Sequence, residues 1–183
     1  MVPDWLGIPE GYVYSSLTYE PTAKLVVVEL QSKSLGKAFL PTRLFVRHVE
    51  ENDYTPVVNW ESSVSAESVV FAQDGLLAAF NSSRYTSIEE HHVGANWNGV
   101  YLWKLDSAEV SGCVDTASLV LPEGFSRGWI TKLMGFSANR NQLYVQVGLQ
   151  NPPAEFTAHY YLATLELGNR SVHPITELRG TFY

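Results

Sequence analysis

Ser65-Ala-Glu-Ser-Val-Val-Phe-Ala-Gln-Asp-Gly-Leu-Leu-Ala-Ala-Phe80 is the stretch whose reading decides the fold. An apolar run ends in the aromatic Phe71, a polar turn follows at Ala72-Gln-Asp-Gly75, and a second apolar run extends from Leu76 to Phe80. Gly and Asp tolerate positive φ and close tight hairpins, so the middle reads as a turn. The flanking runs are too short for helices and are bounded by turn residues, so each reads as a buried strand. The unit is written twice more. Residues 11–29 carry it with Tyr19 as the aromatic and Glu20-Pro-Thr-Ala-Lys24 as the turn, where Pro21 presets one turn angle. Residues 129–147 carry it with Phe136 as the aromatic and Ser137-Ala-Asn-Arg-Asn-Gln142 as the turn.

The second half of each unit repeats as well. A third strand is expected at Arg43–Val49, Gly99–Leu105 and His159–Leu165, alternating as a strand with one solvated face does. Polar turns follow at Glu50–Asp53, Asp106–Glu109 and Glu166–Arg170, and a fourth short strand closes each unit at Tyr54–Trp60, Val110–Asp115 and Val172–Leu178. Self-similarity on this scale is the mark of a repeat architecture.

The pattern resembles the six- to eight-bladed β-propeller families, the TolB type above all. The copy that carries the resemblance best is Phe71-Ala-Gln-Asp-Gly-Leu-Leu-Ala-Ala-Phe80, followed by Val100-Tyr-Leu-Trp-Lys-Leu-Asp106. The likeness covers residues 11–178. It departs from the family where the proline of the turn is displaced or missing. The expected fold is all-β, a single propeller-like domain over 1–183 with three four-stranded antiparallel blades at 11–60, 61–117 and 127–178. Three blades cannot close a ring, since closed propellers need about four or more. Two copies would make six, and the two-fold dimer is the commonest oligomer. The expected first partner is therefore a second copy of the chain, in a homodimer that closes a six-bladed ring.

Composition narrows the remaining partners. Of 183 residues, 45% are hydrophobic, 17% charged and 13% aromatic, which is globular and tilted toward β. The formal net charge of −7 repels phosphate backbones, so nucleic acid is not expected as a partner. No apolar run approaches the roughly 20 residues a spanning helix needs, so no membrane partner is expected either. The first residues, Met-Val-Pro-Asp-Trp5, lack a basic stretch followed by an apolar one, and a cytoplasmic location is the corresponding expectation. Cys113 is the only cysteine, which leaves no internal disulfide, and its apolar setting reads as a structural thiol. Dinucleotide, phosphate-loop and nucleophile-elbow motifs are all missing, and no cofactor is expected.

Candidate site residues gather in the long connections between second and third strands, Gln31–Thr42, Asn81–Asn98 and Gly148–Ala158. Long loops on a rigid scaffold are where binding residues concentrate. Exposed aromatics and amides there, namely Tyr85, Asn96, Trp97, Asn98, Phe156 and His159, are the candidates for holding a ligand. Tyr160 borders the same loops, whereas Trp103 alternates with Tyr101 and reads as packing. Glu89, Glu90, His91 and His92 form the densest polar cluster, with imidazole and carboxylate ligands that suit Zn, Mn or Fe. Adjacent histidines on an extended chain point opposite ways, which works against a shared ion.

Three functions compete. The first is a non-catalytic binding or scaffold module that presents the loop face to a protein, peptide or glycan. The second is a hydrolase or lyase acting on a sugar or lactone with the Glu89–His92 cluster, with or without a metal. The third is the propeller part of a larger peptidase-like protein, present for gating. Ring closure by pairing makes the most direct demand: light scattering at micromolar concentration should give the mass of a dimer, and a stable monomer rules that closure out.

Overall fold

The computed structural model describes residues 8, 10–32, 42–58, 64–88, 92–151 and 158–178. Twelve strands build three four-stranded sheets, each from strands consecutive in the chain and all antiparallel. Sheet one holds β1 (Tyr12–Glu20), β2 (Leu25–Ser32), β3 (Thr42–His48) and β4 (Thr55–Pro56). Sheet two holds β5 (Val64–Phe71), β6 (Leu77–Ile88), β7 (His92–Lys104) and β8 (Glu109–Asp115). Sheet three holds β9 (Arg127–Phe136), β10 (Gln142–Gln150), β11 (His159–Glu166) and β12 (Val172–Glu177). One 3-10 turn, Thr116–Ser118, is the helical element among the described residues. The all-β, three-by-four architecture expected from the repeat is the one observed. The fourth strand of the first unit is shorter than its expected span of Tyr54–Trp60. Thr55 and Pro56 pair with Val46 and Phe45, Val57 N donates to Leu44 O beyond them, and Asn59 and Trp60 of the expected span lie outside the described residues.

Burial explains the strand sequences. Sheet two is covered on both faces. Ala78, Phe80 and Trp103 pack with Val27 and Leu44 of sheet one. Ala79, Val100 and Val114 pack with Ile130, Leu143, Val145 and Val147 of sheet three. The unbroken run Leu77-Ala-Ala-Phe80 is what a strand without a solvent face requires. On sheet one, Val26, Val28, Leu30 and Phe45 turn away from sheet two and are covered by Ile8, Tyr12 and Tyr54. Sheet three has one covered face, so β10 alternates: Leu143, Val145, Val147 and Leu149 are buried and Tyr144 is exposed.

The aromatic-plus-turn units meet along one edge of the molecule. The turns after β1, β5 and β9 each contain a left-handed residue, Lys24, Gly75 and Arg140. A Cβ on Gly75 would lie 2.5 Å from the Thr22 side chain, so the second turn nests against the first. Asp74 of the second turn forms an ion pair with Arg140 of the third.

The polar joints between sheets centre on a bulge in β5. The register shifts between Glu67 and Val70, and Ser68 takes a positive φ of 60° there. The bulge aims two amides sideways, and Glu29 Oε1 of sheet one accepts from both Ser68 N at 2.7 Å and Val69 N at 3.3 Å. Ser68 Oγ in turn accepts from Leu133 N of sheet three at 3.4 Å. One residue thus ties all three sheets. Thr42 N donates to Ser65 Oγ at 3.1 Å, and Asn81 Nδ2 to Ile130 O at 3.4 Å.

Because Phe80 fills the seam between sheets one and two with no solvent exposure, Phe80→Ala lowers the unfolding free energy by about 3–5 kcal/mol. Tyr19→Ala, at a ring that is half exposed, costs about 0.5 kcal/mol in the same urea melts. Equal losses at the two positions would contradict this assignment of the core.

Candidate functional site

Second and third strands of every sheet meet at the same end of the molecule, and the first strand of sheet three starts there too, because Arg127 pairs with Gln150. This end is the rim on which the sequence placed its candidate residues. Between β6 and β7 the expected loop Asn81–Asn98 is instead a continuation of the two strands. The ladder runs on through Arg84↔Trp97, Tyr85↔Ala95, Thr86↔Gly94, Ser87↔Val93 and Ile88↔His92, with one register shift between Arg84 and Tyr85.

Beyond the sheet this ribbon becomes a two-stranded arm. Strand β5 accompanies β6 only as far as Val64↔Arg84, and β8 accompanies β7 only from Gly99↔Asp115. Tyr85–Ile88 and His92–Asn98 therefore pair with each other and, among the described residues, with no further strand. Tyr85, Asn96, Trp97 and Asn98 all lie on this arm, as strand residues rather than loop residues, and His92 opens its second strand. Glu89, Glu90 and His91, the remainder of the expected metal cluster, lie outside the described residues, and so does Phe156. Among the described residues no group of three or more His, Cys, Asp and Glu is placed to hold a metal ion.

His159 opens β11 at the same rim. It is half-buried, and its Nδ1 lies 2.9 Å from Glu177 Oε1 on β12. Glu177 also acts on Tyr161, whose phenol is pushed above its ordinary range by desolvation first and by that carboxylate second. Phe125 meets the Tyr161 ring edge-on at 5.9 Å. On the other face of sheet three, Trp129, Gly148 and Tyr160 are consecutive cross-strand partners. A Cβ on Gly148 would come within 2.5 Å of the Trp129 ring, so the indole lies directly on the bare backbone, and Tyr160 meets it edge-on at 6.2 Å. An aromatic ring laid over a strand glycine replaces the missing side chain.

Sequence reasoning passed over Trp129, because it read that residue only as the opening of a repeat unit. The available signal was Gly148 in mid-strand, which calls for a neighbour to cover it. Trp103, read as packing, is buried in the seam between sheets one and two. Cys113 is half-buried, and desolvation pushes its thiol up to about 12 against the opposing effect of Arg170. A thiol so hard to ionise is a poor nucleophile.

Neither a protein-family model nor a curated protein matches the chain. Solved structures do. An acylaminoacyl peptidase in complex with Z-Gly-Gly-Phe-chloromethyl ketone superposes with a TM-score of 0.57 at 9% identity, over 92% of this chain and 25% of its own. The acylaminoacyl peptidase of Pyrococcus horikoshii gives 0.55 at 10% identity, over 91% and 25%. A prolyl endopeptidase gives 0.50 at 14% identity, over 91% and 23%. The neighbours are β-propeller domains of peptidases, and at these identities the likeness is one of fold. The chain spans about a quarter of the length of each of these three proteins.

The glycine-covering role of Trp129 makes a definite demand on Gly148. Gly148→Ala displaces the indole, shifts tryptophan emission to the red, and costs about 1–3 kcal/mol in denaturant melts. Unchanged emission would show that the ring does not rest on this backbone.

Proposed function

We propose that the chain is a non-catalytic propeller-type scaffold whose rim binds an extended peptide segment of a partner protein. The observation that carries this reading is the β6–β7 arm. Its strands, Leu77–Ile88 and His92–Lys104, have 12 and 13 residues, more than any other strand among the described residues. Among the described residues, both outer edges of the arm present backbone donors and acceptors with no further strand beside them. Such edges are templates for strand addition, and proteins that avoid it guard them with lysine or proline. The stretches Tyr85–Ile88 and His92–Asn98 contain neither.

A peptide added to the arm would gain main-chain hydrogen bonds along its length, with specificity from side chains of alternating residues. Tyr85, Asn96, Trp97 and Asn98 belong to that ribbon, and His159 with Glu177 stands at the rim of the adjoining sheet. Peptide is the favoured ligand class because the fold neighbours are peptidases, one of them holding a peptide-derived ketone. On this reading the blade is of TolB type and the scaffold positions a peptide rather than cleaving it. A second copy of the chain serves as ring-closing partner.

The arm can be cut back to the end of the sheet. Joining Ser83 directly to Asn98 through an Asn-Gly turn keeps the ladder as far as Ser83↔Asn98. Peptides selected from a random library on the intact protein should shift the amide resonances of residues 85–88 and 92–97. They should lose at least tenfold in affinity for the shortened protein, while its melting temperature stays within a few degrees. Equal binding by the shortened protein would refute strand addition to the arm.

A further inference from the structure

The joint between sheets one and two is built on carboxylates, and its geometry makes it sensitive to protons. Glu29 reaches from β2 to seat one oxygen on the two amides of the β5 bulge, Ser68 N and Val69 N. The residue before the bulge is Glu67, half-buried on the same strand. We propose that this seam is an acid-tightened joint: the Glu29 carboxylate locks sheet one to sheet two, and ionisation of Glu67 beside it loosens the lock.

Among the described residues, Glu29 is the charge that acts on Glu67. On β6 the residue opposite Glu67 is Asn81, which is uncharged. On β9 the group that reaches the bulge is the Leu133 amide, while the cations of that strand, Arg127 and Lys132, are exposed and registered against Gln150 and Gln146. On β3, Arg43 engages Tyr12, Arg47 lies over the Tyr54 ring at 5.0 Å, and His48 accepts from Glu50 N in its own turn. None of these offsets a second negative charge. Burial first, and the Glu29 charge second, hold the Glu67 carboxyl above the usual glutamate range.

The sign follows from linkage. A carboxyl group that is harder to ionise in the folded protein binds its proton more tightly there than in the unfolded chain. The stability it contributes is full below the ordinary glutamate value and is lost as pH rises through the raised folded value. That direction is opposite to the usual carboxylate, whose contribution disappears on acidification. Ser68 links the same bulge to sheet three through Leu133 N, so loosening releases sheet one while sheets two and three keep their larger aliphatic seam.

The titration of Glu67 can be read directly from its carboxyl carbon shift in the full chain. Its midpoint should lie above the roughly 4.3 of an unstructured glutamate, and should move back toward that value in Glu29→Gln. As pH rises from the ordinary glutamate value through the measured folded midpoint, the folded-to-unfolded ratio of the wild type should fall relative to that of Glu67→Gln. The total difference is tenfold for each unit by which the measured midpoint exceeds the unfolded one. Amide exchange at Ser68 and Val69, corrected for intrinsic rates, should slow on acidification in the wild type. A Glu67 midpoint at the ordinary value overturns the proposal, as do parallel pH profiles for wild type and Glu67→Gln. If Glu29→Gln does not fold, the wild-type titration and the two amides decide the matter by themselves.

Discussion

Sheet two has no face of its own to give to water, and the rest of the molecule follows from that. Its central strand must bury consecutive residues on opposite sides, so β6 runs Leu77-Ala-Ala-Phe80 without a polar break. Ala78 and Ala79 keep the strand thin enough for a neighbour on each side, while Phe80 fills the space toward sheet one. A sheet buried in this way cannot exist alone. It holds sheets one and three face to face across itself, and the chain becomes a stack of three small sheets rather than one wide one. The cost appears where β6 leaves the core. Asn81, Ser82 and Ser83 are buried polar residues, and an unsatisfied polar group there would be expensive. Asn81 donates to the Ile130 carbonyl and Ser82 Oγ to the Ser65 carbonyl, so the polar exit of the strand also serves as cross-bracing.

The number of covered faces was legible in the residues themselves. Leu25-Val-Val-Val28 and Leu76–Phe80 are continuous and lie in sheets covered on both sides, whereas Leu143-Tyr-Val-Gln-Val147 alternates and lies in a sheet covered on one. The turn units were legible for a related reason, because a chain reversing after an aromatic strand end leaves a short polar gap of fixed size. Less legible was which residue takes the left-handed conformation. Glycine does so in the second unit, but Lys24 and Arg140 do so in the others. There the charged side chain reaches a carboxylate, Glu50 for Lys24 and Asp74 for Arg140.

Two features escaped the sequence for physical reasons. The arm looked like a loop because its residues are mixed polar and small, and Tyr85–Ile88 extends past the last pairing with β5 at Val64↔Arg84. The Ser68 bulge was invisible because Glu-Ser-Val-Val reads as an unbroken strand. Its positive φ is imposed from outside, by the carboxylate of Glu29 taking two adjacent amides that a regular ladder would point in opposite directions. Tyr85, Asn96, Trp97 and Asn98, expected in a loop, lie instead on one strand ribbon, while His159 opens β11 of the neighbouring sheet and Phe156 lies outside the described residues. The conformation of the ribbon was not recovered, since polar composition does not separate a loop from a solvated hairpin.

The two seams of the stack are chemically unequal, and this has a mechanical consequence. The seam between sheets two and three is lined mainly by aliphatic residues, from Ala79 and Val100 to Leu143, Val145 and Leu165, and is crossed by the Asn81–Ile130 and Ser68–Leu133 hydrogen bonds. Packing of that kind resists sliding, because every displacement opens voids. The seam between sheets one and two mixes Val27, Leu44 and Phe80 with the polar contacts of Glu29, Thr42, Ser65 and Ser68. Directional bonds to a carboxylate depend on the charges around it, which aliphatic contacts do not, so the proposed sensitivity to protons belongs to this seam. The arm rises from sheet two, between the two seams. A ligand strand laid along either edge of the arm extends sheet two itself. Its backbone then becomes continuous with the ladder that carries Ser83, Ser82 and Asn81 down to the braced exit of β6. Under the proposed strand addition, a bound segment would join the same hydrogen-bonded ladder that reaches the polar seam, so the two proposals meet in β6.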